Sequence, residues 1–346
     1  MKVCYFGIYN PNYSRNKELI KGLKENGIEI IGCRVEPTEK YKYWKLFKKH
    51  RKIKDYDLMI VGFPGHSVMP LARLICKKKI IFDAFVSLYD SNIFDRKAYS
   101  PHGLKALKYW LLDWLACKLA NKILLDTDEH IKYFVKTFRI KKEKFKRIFV
   151  GSDDSIFYPR DHKKETDKFL VHFHGKYIPL QGIEYIVEAA KLLESENVQF
   201  NLIGKGQTYS MAVDLTKKLN VKNINFINPM TPEKLVQYIA QADVCLGIFG
   251  ETQKATRVVP NKAYEAIAMK KPLITADTPA VRELFKNREN CLLCNAADSK
   301  DLAQKILILK NNPELRNKIA ENGYKLYKAK LTPRLLVQQL IEILVS

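Results

Sequence analysis

The chain opens on an apolar run, KVCYFGIY, and from there short apolar runs alternate with amphipathic stretches. In the N-terminal half the order is a helix from about Arg15 to Asn26, then IEIIGCRV, DLMIVGF, KKIIFDAFV and KILLDT. Compact apolar runs separated by helical stretches are what βαβ units produce, because a parallel strand is covered on both faces. The rhythm then restarts: FLVHFHGK, a helix from about Gly182 to Ser195, VQFNLIGKG, a helix from about Tyr209 to Leu219, INFINPM, a helix opened by Thr231 and Pro232, DVCLGIF and PLITAD. Threonine as N-cap and proline as first helical residue form a start signal. Between the two sets lies GSDDSIFYPRDHKKETDK, too polar for any sheet core, which predicts a linker near residues 153–167. LTPRLLVQQLIEIL reads as a closing amphipathic helix. The pattern predicts an α/β fold with two Rossmann-like parallel-sheet domains, residues 1–155 and 165–330, and a helix over 331–346 that has packing back toward the N-terminal domain as one option. Ligands of open α/β sheets sit beyond the carboxyl ends of the strands, so the two domains are expected to face a central cleft.

Length agrees with this division, since 346 residues exceed the size at which one core usually keeps growing, and 47% hydrophobic content supports two cores. The sequence has no uncharged apolar run of about 18 residues, and its start has no signal-like apolar region, so a cytoplasmic protein is expected. The cysteines, Cys4, Cys33, Cys76, Cys117, Cys245, Cys291 and Cys294, are scattered and odd in number, as reduced core thiols would be. Cys291 and Cys294 form a CxxC without a second pair or a histidine at ligand spacing, and are set aside as a metal or redox site. The net charge of +23 biases encounters toward anionic partners, and it is uneven: 32 Lys and Arg face 17 Asp and Glu through residue 158, against 28 and 20 beyond it.

Several positions in the second half carry chemistry. Gly175 ends a strand and lets backbone approach a ligand, and Lys176 directly follows it with a cation where a pyrophosphate could lie; a plain surface lysine is the competing account. Gly204, Lys205 and Gly206 make a tight strand-to-helix turn, which turn geometry alone would also explain. Pro260 opens a helix on which Asn261 and Glu265 lie four apart on one face, with Lys262 beside them. A carboxylate there can accept both hydroxyls of a ribose, although a solvated helical glutamate is the ordinary alternative.

These pieces stand in longer segments: FHGKYIPLQGIEYIVEAAKLL, FNLIGKGQ, INFINPMTPEKLVQYIAQADVCLGIF and VVPNKAYEAIAMKKPLITADTPAVRELF. Together they resemble the family 4 glycosyltransferases over nearly all of the C-terminal half, and FGIYNPNYSRNKELIKGLKENGIEI and DAFVSLYDSNIFDR match more loosely. The resemblance implies a GT-B fold and a glycosyltransferase. A nucleotide-sugar donor would be held by the C-terminal domain and an acceptor by the N-terminal one, with retention of anomeric configuration. It assigns Glu265 to the ribose and the Gly204–Gly206 loop to the border of the nucleotide. Two positions depart from it. Gln181 stands where similar enzymes carry a second basic residue, and it can hydrogen-bond phosphate but not neutralise it. Arg257 stands where they carry a glutamate associated with the donor sugar; Glu251 could supply that carboxylate, or Arg257 could contact phosphate or an anionic sugar.

Cleaving a sugar–phosphate bond builds negative charge on the departing diphosphate, which Lys176 could offset with helix N-termini near Thr256 and Thr278. No cofactor and no metal are expected. Two DxD patterns, Asp55 to Asp57 and Asp126 to Asp128, are read as strand-edge residues. The acceptor would meet Tyr9, Asn10 and Arg15 in the loop after the first strand, His66, and Asp83 and Asp90 as groups to activate or orient a hydroxyl. A buried or strand-capping role fits either aspartate equally.

Residues 40–54, KYKYWKLFKKHRKIK, hold eight Lys and Arg, no acid and several aromatics, and LKALKYWLLDWLACKLANK adds Trp110 and Trp114. A cationic face with aromatic anchors suits an anionic bilayer, hence peripheral association with the inner face of the cell membrane and a glycan or lipid-linked acceptor. A lysine-rich solvated surface is the competing explanation, with the Trp110 and Trp114 run facing the core. A nucleotide-sugar 2-epimerase of the same fold, a non-catalytic GT-B protein, and a basic nucleic-acid binder remain open; no nucleic-acid module is recognised, so nucleic acid is not the expected partner.

Overall fold

The computed structural model describes residues 1–160, 164 and 166–345, with side-chain surroundings through residue 342. Part of the expected linker, residues 161–163 and 165, lies outside the described residues. The chain divides into two compact units, residues 1–151 with 332–346, and residues 152–331.

The first unit runs β1 (Lys2–Ile8), α1 (Ser14–Glu25), β2 (Glu29–Val35), α2 (Lys42–Arg51), β3 (Leu58–Val61), α3 (Met69–Ile75), β4 (Lys79–Phe85), α4 (Leu104–Leu119), β5 (Lys122–Leu125), α5 (Asp128–Phe138) and β6 (Phe145–Arg147). Its strands form one parallel sheet in the order β2-β1-β3-β4-β5-β6. The second unit runs β7 (Phe169–His174), α6 (Ile183–Leu192), β8 (Val198–Ile203), α7 (Tyr209–Lys218), β9 (Ile224–Ile227), α8 (Pro232–Gln241), β10 (Val244–Leu246), α9 (Asn261–Ala268), β11 (Leu273–Ala276), α10 (Pro279–Arg282), β12 (Leu292–Cys294), α11 (Ser299–Asn311) and α12 (Pro313–Lys330). Its sheet, also parallel, has the order β12-β11-β10-β7-β8-β9, so the connections reverse direction between β7 and β10. A final helix, α13 (Pro333–Val345), belongs to the first unit.

The central strands are buried along their whole length, as the apolar runs require. Two strands went unread. β6 offers one buried phenylalanine followed by exposed Lys146 and Arg147, and so hides inside a basic run at the sheet edge. β12 coincides with the CxxC: both thiols are buried, Cys294 Sγ pointing at the Thr275 carbonyl and Cys291 Sγ at that of Lys286. All seven cysteines are free and buried. Thr231 stands at the N-cap of α8 but its side chain makes no capping bond; the structure leaves Pro232 as the start signal there.

Two contacts tie the first unit together. The buried Arg15 guanidinium on α1 bonds both carboxylate oxygens of Asp83 at the end of β4, at 2.9–3.1 Å, and the carbonyls of Ile148 and Phe149 beyond β6, at 2.7 and 3.0 Å. α13 packs on α1, where Gly22 lies so close to the Pro333 carbonyl and Val337 that any β-carbon would collide. Asn26 secures the same contact by donating to the Arg334 carbonyl at 2.8 Å.

Removing one partner of a buried ion pair strands the other charge, so Arg15→Met should cost about 3–5 kcal/mol in urea unfolding, and the double change Arg15→Met, Asp83→Leu should recover much of it. Equal losses in single and double variants would contradict that pairing. Gly22→Ala should cost roughly 1–3 kcal/mol by overpacking, read from the same unfolding curves, whereas Gly27→Ala, which meets no neighbour, should lose only what its positive φ demands.

Candidate functional site

In the second unit the switch between β7 and β10 is where a doubly wound sheet leaves a crevice at its carboxyl edge. Gly175 follows β7 directly, and a side chain built on it would meet Lys262 Nζ at 3.2 Å, so the lack of one is what lets the backbone come this close to the lysine. Lys262 lies in the first turn of α9, is buried, hydrogen-bonds Gln181 Oε1 and sits 3.5 Å above the Phe173 ring. Burial holds its pKa well below the ordinary lysine range, partly offset by Glu265. Gln181 is fixed in turn: its carbonyl accepts from the Phe249 amide at 3.0 Å, which joins the loop after β7 to the one after β10.

Glu265, one turn further along α9, is oriented by two histidines that the sequence reading did not single out. His174 Nε2 lies 2.5 Å from Glu265 Oε2, and His172 Nε2 lies 2.9 Å from His174 Nδ1. Burial, helped by His174 and Lys262, pushes the His172 pKa well down, so that ring is neutral. With that ring neutral, a run in which His172 Nε2–H donates to His174 Nδ1 and His174 Nε2–H donates to Glu265 Oε2 satisfies both contacts. The available signal was the HxH alternation in FLVHFHG, since residues two apart share one face of a strand.

The neighbouring loop is held just as closely. Gly204, with φ +143, lets its backbone pass against the Gly175 carbonyl where any side chain would collide, and Gly206 bridges Tyr177. Lys176 is exposed beside this junction. Asn261 is the first residue of α9, half-buried. Glu251 is exposed near Glu184, and Arg257 donates to Gln253 Oε1 at 3.0 Å. Thr256 lies in a short turn, where it bonds the Gln253 carbonyl, and Thr278 caps the four-residue α10; neither opens a long helix.

In the first unit most candidates are interior. Tyr9 is buried with its ring 5.2 Å from Tyr5, and Arg15 and Asp83 hold one another; burial pushes the Asp83 carboxyl up while Arg15 pulls it back. His66 is buried 3.2 Å from Asp113, and burial lowers its pKa to about 3, leaving it neutral. Asp90 is buried where its amide meets Ser87 Oγ, at 2.9 Å. Asn10 is exposed, its side chain accepting from the Asn12 amide. Of the DxD aspartates, Asp57 accepts the Lys2 amide at 2.7 Å, Asp126 bonds His130, and Asp128 pairs with Arg147.

Among relatives, an uncharacterized glycosyltransferase of Methanocaldococcus jannaschii is 26% identical over 188 residues, 52% of this chain and 48% of that one. The capsular polysaccharide biosynthesis glycosyltransferase CapM of Staphylococcus aureus is 23% identical over 274 residues, 74% of this chain and 70% of CapM. The match spans about half the length of the first curated relatives. Among solved structures, sucrose-phosphate synthase of Thermosynechococcus elongatus superposes with TM-score 0.78 at 14% identity, over 100% of this chain and 99% of its own. Anabaena HepE in complex with UDP-glucose superposes with TM-score 0.76 at 16% identity, over 100% and 99%. The two parallel six-stranded sheets and these neighbours make the fold GT-B. Residues 154–326, half of the chain, match the family described as glycosyl transferases group 1, and the chain belongs to that family.

Proposed function

We propose that the protein transfers a sugar from a nucleotide-diphosphate sugar to an acceptor hydroxyl, with the donor held in the second unit at the β7–β10 switch. The observation that carries this reading is the convergence of a buried ammonium, Lys262, and a histidine-oriented carboxylate, Glu265, one turn apart on α9 beside the side-chain-free Gly175. The two charges suit the two ends of a nucleoside diphosphate. Glu265 Oε1 accepts from the ribose, and Lys262, exposed Lys176 and the amides opening α9 receive the phosphates. HepE, solved with UDP-glucose, makes uridine nucleotides the first donors to try.

In the transfer, the bond from the anomeric carbon to the diphosphate oxygen breaks, a bond to the acceptor oxygen forms, and the hydroxyl proton leaves with the diphosphate. Fixed cations meet the charge where it builds, so the step asks for neither a metal nor a covalent nucleophile, and attack on the departing face gives retention. The acceptor is a glycan or a lipid-linked sugar. Exposed Lys and Arg on α2, within residues 40–54, favour a protein that works at an anionic membrane surface. No described helix is long and apolar enough to cross a membrane.

Calorimetry with UDP, its 2′,3′-dideoxy analogue and UDP-sugars tests the donor assignment. Glu265→Ala should cost about tenfold or more in affinity for UDP and little for the dideoxy analogue; equal losses for both would remove Glu265 from the ribose, and no nucleotide binding by the natural protein would sink the reading. Lys262→Met should raise the melting temperature, because it removes a buried polar amine whose protonation burial disfavours, and weaken UDP binding by about tenfold to a hundredfold. A bound diphosphate raises the depressed Lys262 pKa, so a proton is taken up on binding. Affinity should then fall by up to about tenfold per pH unit as pH rises from the value in the free protein toward that in the complex. A pH-independent affinity, or a slope that survives in Lys262→Met, would contradict the phosphate role.

A further inference from the structure

The connections from β2 to β3, β3 to β4 and β4 to β5 all step in one direction across the first sheet, so right-handed crossovers put α2, α3 and α4 on one face. They pack in that order, α2 on α3 and α3 on α4. Between them they carry nine Lys and Arg and one acidic residue, Asp113, which is buried.

α4 has two apolar sides. Ala106, Ala116 and Cys117 are buried, and Trp110 and Trp114, stacked with centroids 6.1 Å apart, pack against the core. Of the two options the sequence leaves for the tryptophans, outward anchors or core packing, the structure shows core packing. The outward side is leucine: Leu104, Leu107, Leu111 and Leu115, spaced three, four and four residues, share one stripe and are 87%, 55%, 44% and 37% exposed. Lys105, Lys108 and Lys118 flank it, all exposed. On the same layer Leu74 of α3 is 83% exposed, and α2 exposes Trp44 with the Lys48 ammonium 3.5 Å above its ring. A solvated helix would carry polar residues at these positions.

The geometry points to this α2–α3–α4 face as a docking surface for an anionic bilayer, with the leucine stripe of α4 entering the apolar boundary and the surrounding lysines meeting lipid headgroups. It extends the membrane contact proposed for α2 by naming the apolar element, and it does not rest on the donor site. Charge decides the occupant. A second copy would bring like-charged faces together, and a nucleic acid would leave the leucines in water, whereas an anionic interface satisfies both leucine and lysine.

The test is co-sedimentation of the full chain with phosphatidylcholine vesicles, with and without phosphatidylglycerol. The natural protein should bind the phosphatidylglycerol vesicles and be released by salt. The double variant Leu107→Ser, Leu111→Ser should bind about tenfold more weakly with an unchanged circular dichroism spectrum. Lys105→Gln with Lys108→Gln should also weaken binding and flatten its salt dependence. UDP affinity should be the same in all variants, so failure here is separable from failure of the donor reading. No binding to anionic vesicles, unchanged binding by the leucine variant, or leucine changes that only dissolve a dimer in sedimentation equilibrium would overturn the proposal.

Discussion

The ammonium of Lys262 is buried beside a neutral amide and an aromatic ring, an arrangement that burial alone makes unfavourable. On the proposed reading a ligand of opposite charge completes that group, and the surrounding backbone holds it in place. Gly175 allows the close approach of backbone to Lys262, the Gln181–Phe249 hydrogen bond holds the two loops at the strand switch, and Gly204 presses the next loop against the Gly175 carbonyl. Glu265, fixed through His174 and His172, adds an acceptor one helical turn away. Burial of Lys262 costs stability, and under the proposed function specificity for an anion next to hydroxyls is what that cost gains.

Much of the fold was readable because parallel strands covered on both faces must be apolar throughout, and runs such as DLMIVGF and PLITAD leave no other use for their residues. The failures were edge strands. β6 shows a single apolar residue among cations, and β12 drew attention as a pair of thiols when its structural content was one strand's worth of buried side chains.

The geometry around the candidate residues was legible in the second unit and poorly so in the first, for a physical reason. Gly175, Lys262 and Glu265 are placed by short-range geometry that a strand end and one helical turn already fix in the sequence. Partnerships across the sheet are not encoded locally: nothing near Arg15 announces that its guanidinium meets Asp83, 68 positions away, and nothing near His66 announces Asp113. The same limit hid His174 behind its own strand, since its importance comes from Glu265, 91 positions later. Exposure is equally invisible. LKALKYWLLDWLACKL carries apolar residues on more than one side, and only packing separates the tryptophans that face the core from the leucines that do not.

The most direct test of the central claim is a crystal structure of the protein with a nucleoside diphosphate. The account predicts ribose hydroxyls within hydrogen-bond distance of Glu265 and a phosphate oxygen in contact with Lys262 Nζ, beside Gly175. A nucleotide bound elsewhere, or one seated at this switch with Lys262 still turned only to Gln181, would contradict it.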